Sequence, residues 1–202
     1  MFVLRREQTI DFGRTSEYDA YQQQSLEAVR HQPGFLRDLT AMSLGNHAHR
    51  LLYQIWTSKE AFLDYSRGEH WVRPPEGLEP GIGQSGYFEF VAIGEDMPPD
   101  QGHFVVERSF RVVNGHQDEF EAAEAKLCDM AKGREGLVAR YTLKFLGNDE
   151  SYLRVSMWQS WEALESWMST TAHIAQNRAV LDHVLWTTAN RYEFVTAVAA
   201  RS

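Results

Sequence analysis

The residues best suited to chemistry are two histidines and an arginine: His70, His173 and Arg154. A histidine at the rim of a pocket can act as a general base or as an axial ligand of haem iron. An arginine in the same pocket would stabilise the anion that a base creates. We predict these three residues as catalytic. The alternative for the histidines is a position at a helix end, where the helix dipole favours a positive charge.

Aromatic side chains are numerous enough to line an apolar pocket, with 6 Trp, 8 Tyr and 11 Phe in the chain. Tyr65 and Trp71 lie near His70, and Trp167 precedes His173. A phenol held among such rings could be deprotonated to an electron-rich anion that passes an electron to O₂. Core packing is the alternative, because aromatic rings bury a large area.

Metal and thiol chemistry are not predicted. His47 and His49 would share one face of a strand, but a divalent site normally needs three or four ligands and no third ligand is evident. The single cysteine, Cys128, cannot form an internal disulfide. It lies in an alanine-rich helical stretch, which is typical of a core residue.

Composition limits the classes of partner. The net charge is −8 and neither half carries a basic stripe, so nucleic acid and anionic membranes are not expected partners. No run of 18 apolar residues occurs, which argues against a membrane span. The first residues are charged too early, at Arg5 and Arg6, for a signal peptide. The sequence therefore predicts a cytoplasmic protein.

The sequence matches itself when it is shifted by 102 positions. Self-similarity of this kind indicates a tandem duplication. A polar segment rich in Pro and Gly, 95–102, separates the copies. We predict a first domain over 1–94, this linker, and a second domain over 103–202. The matched pairs include Phe2 and Phe104, Leu44-Gly45-Asn46 and Leu146-Gly147-Asn148, Trp56 and Trp158, and Ser58 and Ser160.

Each copy predicts the order β-α-β-β-α-β, the α+β ferredoxin-like arrangement. Its antiparallel sheet carries helices on one face, so the other face needs a cover, and two fused copies would supply it by packing sheet to sheet. In copy one, the elements are predicted at Phe2–Ile10, Ser16–Arg30, Phe35–Leu44, a strand ending at Trp56, a helix capped by Ser58, and Tyr87–Ile93. In copy two, they are predicted at Phe104–Val113, Gln117–Lys132, Leu137–Leu146, a strand ending at Trp158, a helix capped by Ser160, and Arg191–Val198.

The copies differ most at 72–86, which reads as a loop, whereas copy two predicts a helix from about His173 to Asp182. A long irregular segment in a compact domain is often a lid or a binding loop. This difference indicates that the two pockets have diverged, with drift in a surface loop as the alternative.

A short pattern occurs in both copies. It reads Pro33-Gly34-Phe35, then Trp56-x-Ser58-x-Glu60-Ala61 with Tyr65 and His70, and again Gly136-Leu137, then Trp158-x-Ser160-x-Glu162-Ala163 with Trp167 and His173. This pattern resembles the antibiotic biosynthesis monooxygenase domain family, twice over nearly the whole chain. The resemblance implies an intramolecular dimeric α+β barrel with a pocket between sheet and helices in each domain.

The resemblance leaves three functions open, because a fold does not choose a reaction. The first is a cofactor-independent monooxygenase that uses O₂ on an aromatic or polyketide-like metabolite. The second is a haem-binding or haem-degrading protein, and the third is a non-catalytic ligand-binding module. We predict substrate contacts from Trp56, Tyr65, Trp71, Trp158 and Trp167.

The family pattern is matched only in part. Four positions before the repeated tryptophans, where polyketide oxygenases carry asparagine, this chain has Leu52 and Arg154. Haem-degrading members use a Trp and a His that Trp167 and His173 resemble. The expected partners are a small aromatic substrate and O₂, no cofactor unless haem is bound, and the chain could also form a homo-oligomer.

Overall fold

The sequence repeat folds into two successive sets of the same elements. The computed structural model of the chain describes residues 1–76, 86–92 and 104–199. The predicted linker 95–102 and residues 77–85 of the predicted loop lie outside the described residues.

The predicted α+β ferredoxin-like order is confirmed in both copies. The first copy comprises β1 (Phe2–Thr9), a short 3-10 helix (Phe12–Arg14), α1 (Thr15–Val29), β2 (Phe35–Ser43), β3 (Asn46–Trp56), α2 (Lys59–Arg67) and β4 (Gly86–Ala92). The second comprises β5 (Phe104–Val112), α3 (Gln117–Ala131), β6 (Leu137–Phe145), β7 (Ser151–Trp158), α4 (Trp161–Met168), α5 (Thr171–Leu181) and β8 (Val184–Ala199).

By its internal contacts the chain divides into two compact units. Unit 1 consists of Met1–Phe88 with Val195–Ser202, and unit 2 of Glu89–Phe194. The predicted limits at residues 94 and 103 lie outside the described residues, so the domain boundaries stay a prediction.

Local signals set the helix ends. Ser58 Oγ accepts a hydrogen bond from Ala61 N at 3.1 Å, and Ser160 Oγ accepts one from Ala163 N at 3.1 Å, which confirms both predicted N-caps. Helix α2 ends at Arg67, because the next residue, Gly68, is extended with φ −78° and ψ 167°.

Neither His70 nor His173 lies at the C-terminus of a helix. His70 lies beyond the end of α2. His173 lies in the first turn of the separate helix α5, where Thr170 Oγ1 accepts from its backbone N at 3.2 Å. The helix dipole at that end disfavours a positive charge, contrary to the alternative of a C-terminal position. The helix predicted from about His173 to Asp182 is confirmed as α5.

The strands pair antiparallel within each unit. In unit 1, β3 pairs with both β1 and β2. In unit 2, β5 pairs with β7 and β8, and β7 pairs with β6. Because successive side chains of a strand point to opposite faces, each sheet divides into a helix-covered face and a second face. The second face is buried as well, with Leu51 in unit 1 and Ala139 in unit 2 at 0% exposure. Packing of sheet on sheet stays a prediction.

Each unit has an apolar core between sheet and helices. In unit 1 it contains Phe2, Leu4, Val29, Phe35, Trp56, Phe62 and Tyr65. In unit 2 it contains Phe110, Val112, Phe120, Leu127, Ala131, Tyr152, Trp158, Leu164, Trp167 and Val180.

The repeated glycine–alanine pairs are explained by close backbone approach. Gly34 has φ +82°, and a Cβ placed on it would lie 2.6 Å from the Cβ of Ala61. Gly136 has φ +78° and would overlap Ala163 in the same way. A left-handed backbone without space for a side chain admits only glycine. This part of the family pattern therefore serves the fold and not a reaction.

We expect Gly136→Ala to lower the free energy of unfolding by more than Gly133→Ala. Both glycines have positive φ, but nothing lies within 4 Å of a Cβ at Gly133. The control should cost about 1–2 kcal/mol of backbone strain, whereas Gly136→Ala adds overlap for a total of roughly 3 kcal/mol or more. Urea denaturation of both variants measures the difference, and equal losses would contradict the close-approach explanation.

Candidate functional site

Polar side chains interrupt the apolar helix-covered face of the unit 2 sheet. Arg108 on β5 precedes the core residue Phe110 by two positions, and Arg154 on β7 follows Tyr152 by two. Residues two apart share a face of a strand. The side chains of these two arginines therefore point towards the helices, at positions where apolar core residues are usual.

The register places like charges opposite each other. Arg108 pairs directly with Arg154, and Thr142 on β6 pairs with Arg154 from the other side. Like charges at directly opposed positions destabilise a sheet. Burial adds to this cost, and burial followed by the charge of Arg154 lowers the pKa of Arg108.

Glu124 on α3 supplies the counter-charge, and its side chain is 0% exposed. Its Oε2 accepts from Arg154 Nε at 3.0 Å and from Thr142 Oγ1 at 2.9 Å. Its Oε1 accepts from a terminal nitrogen of Arg154. Burial opposes ionisation of Glu124, but Arg154 and Arg140 outweigh it and hold the pKa of this carboxyl below its usual range.

Arg140 on β6 is also buried, at 3% exposure, and is less well satisfied. Its Nε donates to Cys128 Sγ at 3.3 Å. Its Nη2 lies 3.7 Å from Glu124 Oε2 and has no hydrogen-bond partner among the described residues. Cys128 is thus a buried residue of this polar layer, in keeping with its prediction as a core residue.

Helix α5 also contacts these arginines. Asn177 Oδ1 accepts from Arg108 Nη1 and from Arg154 Nη1, each at 3.3 Å. Gln176 Nε2 donates to Ala123 O at 3.0 Å and so ties α5 to α3. Because residues four apart share a helix face, the face that bears Asn177 also bears His173.

His173 has a defined tautomer. Its Nδ1 lies 3.1 Å from Met168 O, and a carbonyl oxygen can only accept, so Nδ1 carries the proton and Nε2 keeps its lone pair. Burial lowers the pKa of His173, and the charges of Arg154, Arg140 and Arg108 lower it further. The ring is neutral at neutral pH, and Nε2 can accept a proton.

The aromatic residues predicted for unit 2 lie beside this layer. The Trp167 ring lies 5.0 Å from the His173 ring, and the Arg134 guanidinium lies 4.8 Å from Trp167. Trp158 is 1% exposed within the apolar core. The indole Nε1 atoms of Trp158 and Trp167 are buried without a hydrogen-bond partner among the described residues.

Unit 1 carries different side chains at the matching positions. Leu52 stands where unit 2 has Arg154, Asp38 where it has Arg140, and Gln22 where it has Glu124. Of the positions compared, only that of Arg108 is matched by an arginine in unit 1, Arg6. The Asp38 carboxyl is 1% exposed, and burial raises its pKa to about 7, although hydrogen bonds from Gln54 and Thr40 oppose the rise.

A small pocket lies at these positions in unit 1. Its space, about 10 Å³, holds roughly one water molecule. Asp38 Oδ2 and Gln54 Oε1 are buried and have no hydrogen-bond partner among the described residues. The pocket is lined by Arg6, Gln8, Tyr18, Tyr21, Gln22, Arg50, Leu52 and Pro74.

The aromatic residues predicted for unit 1 form one contiguous group. The Tyr65 ring lies 5.4 Å from the Trp56 ring and 5.3 Å from the Trp71 ring. Trp71 in turn lies 5.4 Å from the guanidinium of Arg6, which lines the pocket. Tyr65 stays protonated, since burial raises its pKa to about 12.

The remaining predicted histidines lie elsewhere. The His70 side chain is 64% exposed, with Nε2 3.8 Å from Glu69 Oε1, and its catalytic role stays a prediction. His49 Nε2 lies 2.7 Å from Glu7 Oε1, and its Nδ1 lies 3.1 Å from Thr9 Oγ1. The side chain of His47 is outside the described set. Within the described residues, no three His, Cys, Asp or Glu side chains are grouped closely enough to hold a metal ion.

The sequence profile of the antibiotic biosynthesis monooxygenase family matches residues 1–73 and again 103–179. The chain belongs to this family. Both matched segments contain the β-α-β-β-α core of a repeat, so the family assignment covers unit 1 and unit 2 alike. No curated protein matches the chain significantly.

Several solved structures are similar to this chain over nearly its whole length. A candidate monooxygenase from Fusobacterium nucleatum is 11% identical over 98% of this chain and 94% of its own, with a TM-score of 0.84. An anthrone oxidase-like protein is 19% identical over 100% and 93%, with a TM-score of 0.70. A heme-degrading enzyme from Listeria monocytogenes is 12% identical over 96% and 100%, with a TM-score of 0.61. At these identities the likeness shows the fold alone.

Within this family fold, sequence reasoning found Arg154, His173 and Trp167 but missed Arg108, Arg140, Glu124 and Asn177. Two signals were available. Arg140 and Thr142 lie two positions apart on the inward face of β6, where apolar core residues are usual, and Glu124 lies among apolar residues on the inward face of α3. A charged residue at a core position is rare unless it is paired. No helix in the described part of the chain is long and apolar enough to cross a membrane.

We expect Glu124→Gln to lower the free energy of unfolding by roughly 3–5 kcal/mol, because removing one partner leaves buried arginines without a counter-charge. The matched control is Asp129→Asn on the same helix, whose side chain is 69% exposed beside Lys132. The control should change stability by less than about 0.5 kcal/mol. Urea unfolding at neutral pH measures both, and similar small losses would show that Glu124 is dispensable.

We expect the stability gained by Asp38→Asn to depend on pH. Burial raises the pKa of Asp38 in the folded protein to about 7, above its value in the unfolded chain. The folded protein therefore bears no penalty below the unfolded pKa, and it loses stability as the pH rises through about 7 and the buried carboxyl ionises. The variant should exceed the wild type at pH 8 by up to roughly 4 kcal/mol and show no such gain at pH 4. Asp19→Asn, with a side chain 59% exposed, is the control. A gain that is the same at both pH values would contradict a buried ionisation at Asp38.

Proposed function

We propose that this protein is a cofactor-independent oxygenase that acts on a phenolic or anthrone-type substrate at the polar layer of unit 2. His173 is the base, the arginines stabilise the anion, and Trp167 forms part of the wall. The single observation that carries the proposal is the hydrogen bond from His173 Nδ1 to Met168 O, 3.1 Å long.

That bond prepares the histidine for proton transfer. It holds the ring with Nε2 unprotonated, as a general base requires. The lowered pKa of His173, caused by burial and then by the arginine charges, keeps the base form present at and below neutral pH. The first turn of α5 adds the positive end of a helix dipole, which acts in the same direction.

The same positive charges favour the product of deprotonation. The positive charges of Arg154 and Arg108 attract a nearby phenolate, whereas they repel a protonated His173. Fixed charges in a dry site need no reorganisation when the anion forms. The anion is electron-rich enough to reduce O₂.

The overall reaction balances without an external reductant. A phenol loses one hydrogen from its hydroxyl and one from a ring carbon, and one oxygen atom enters as the carbonyl of a quinone. The second oxygen atom leaves with the two hydrogens as water. The four electrons that O₂ takes up come from the substrate. Family membership and the similarity to an anthrone oxidase-like protein support this reaction class.

Haem is the second candidate, and the same residues fit it. His173 Nε2 could serve as axial ligand, and arginines are the usual partners of carboxylates such as haem propionates. The similarity to a heme-degrading enzyme supports this alternative at the level of fold. Haem would supply one-electron and O₂ chemistry of its own. A haemin titration with a saturable Soret shift that His173→Ala abolishes would favour it.

We expect His173→Gln to lower kcat/KM by about 10²–10⁴-fold in O₂ consumption, measured with phenols, naphthols and anthrones without added metal, flavin or haem. Wild-type kcat/KM should fall on the acid side with a pKa below 6.5, because protonation of His173 removes the base.

His183→Gln removes a partly exposed histidine of the same unit and should leave kcat/KM unchanged. His70→Gln in parallel tests the prediction for that residue. Wild-type turnover that survives in His173→Gln would rule out His173 as the base.

A further inference from the structure

The arginine cluster of unit 2, defined as Arg108, Arg140, Arg154 and Glu124, carries unbalanced charge. Three guanidinium groups face one carboxylate, since arginine stays protonated in proteins. Among the described residues, the charges that perturb the pKa of Arg108 are those of Arg154, Glu124 and Arg140. The cluster therefore bears an excess of two positive charges.

Glu124 has little capacity left for the other arginines. Arg154 bonds both of its oxygens, and Thr142 bonds Oε2 a second time. Arg140 is left at 3.7 Å, with its buried Nη2 lacking a hydrogen-bond partner in the part of the chain that the structure describes. Arg108 and Arg154 share a single neutral acceptor, Asn177 Oδ1.

The fold does not require this arrangement. An excess of buried positive charge is unfavourable, because each buried ion must be desolvated, and unit 1 builds the same elements without such an excess. There Leu52 replaces Arg154, and Asp38 replaces Arg140, so that Arg6 faces an acid. A structural role for the charge excess in unit 2 is therefore a poor explanation.

We infer that the arginine cluster binds the anionic oxygen, carboxylate or phenolate, of an aromatic ligand. The guanidinium fork matches a carboxylate in bidentate fashion and also accepts a single phenolate oxygen. Arg140 Nη2 is the buried donor left over for it. The choice of an aromatic ligand rests on the proposed function and on the neighbouring rings of Phe110, 4.8 Å from the Arg154 guanidinium, and of Trp167 beside His173.

Calorimetric titrations with benzoate, benzamide and acetate test the inference. Benzamide keeps the shape of benzoate without its charge, and acetate keeps the charge without the ring. We expect benzoate to bind at least about tenfold more tightly than either, since a charge-assisted pair is worth that much. The absorption spectrum of 4-nitrophenol distinguishes the phenol from the phenolate. A shift towards the phenolate spectrum on binding therefore tests whether the cluster binds a phenolate oxygen as well as a carboxylate.

Arg140→Gln should abolish the preference for benzoate over benzamide and at the same time raise the urea midpoint of the unliganded protein, because it removes one of the two buried positive charges that exceed the single carboxylate. Arg108→Gln, at a less buried position, gives a second variant if Arg140→Gln fails to fold. The control Arg111→Gln removes a half-exposed arginine, 2.6 Å from Glu150, and should leave binding unchanged.

The inference is overturned if benzamide or acetate binds as tightly as benzoate, or if the preference survives in both variants. Its failure is distinguishable from failure of the proposed function. Benzoate preference without O₂ consumption by any phenol supports the anion site and removes the oxygenase. O₂ consumption by phenols without anion preference does the reverse.

Discussion

The ion pair of Glu124 with Arg154 is the interaction on which the polar layer of unit 2 depends. Antiparallel register sets Arg154 opposite Arg108, so the sheet alone would hold two like charges under the helices. A carboxylate from α3 and an amide from α5 make that arrangement tolerable. Helix α5 carries both this amide and His173, so the helix that contacts the arginines also bears the histidine.

Duplication allowed the two polar layers to diverge on one scaffold. The glycine–alanine contact, the serine caps and the core tryptophans are the same in both copies, since each is required by the fold. The inward-facing polar positions differ instead, with a cationic cluster in unit 2 and a buried acid, Asp38, in unit 1. Residues that serve the backbone are thus retained while those that would meet a ligand have changed.

Most of the fold was predictable because its signals are local. A serine cap, a Gly-Asn turn and strand alternation act within a few residues, and the repeat doubled each signal. The errors lie where two elements had to be distinguished over a short stretch. Gly68 ends α2 before His70, so His70 does not end a helix as the sequence pattern indicated, whereas the helix predicted from about His173 is confirmed as α5.

The sequence by itself determined the family, the α+β order of elements in each copy and three residues of the candidate site, Arg154, His173 and Trp167. Only the tertiary structure decided which polar groups meet. Glu124 and Arg154 are 30 residues apart and Arg108 and Asn177 are 69 apart, so no local pattern relates them. Their pairing follows from strand register and from the packing of α3 and α5 on the sheet. The charge of His173 likewise depends on arginines brought near by folding, because Coulomb interactions act through space and not along the chain.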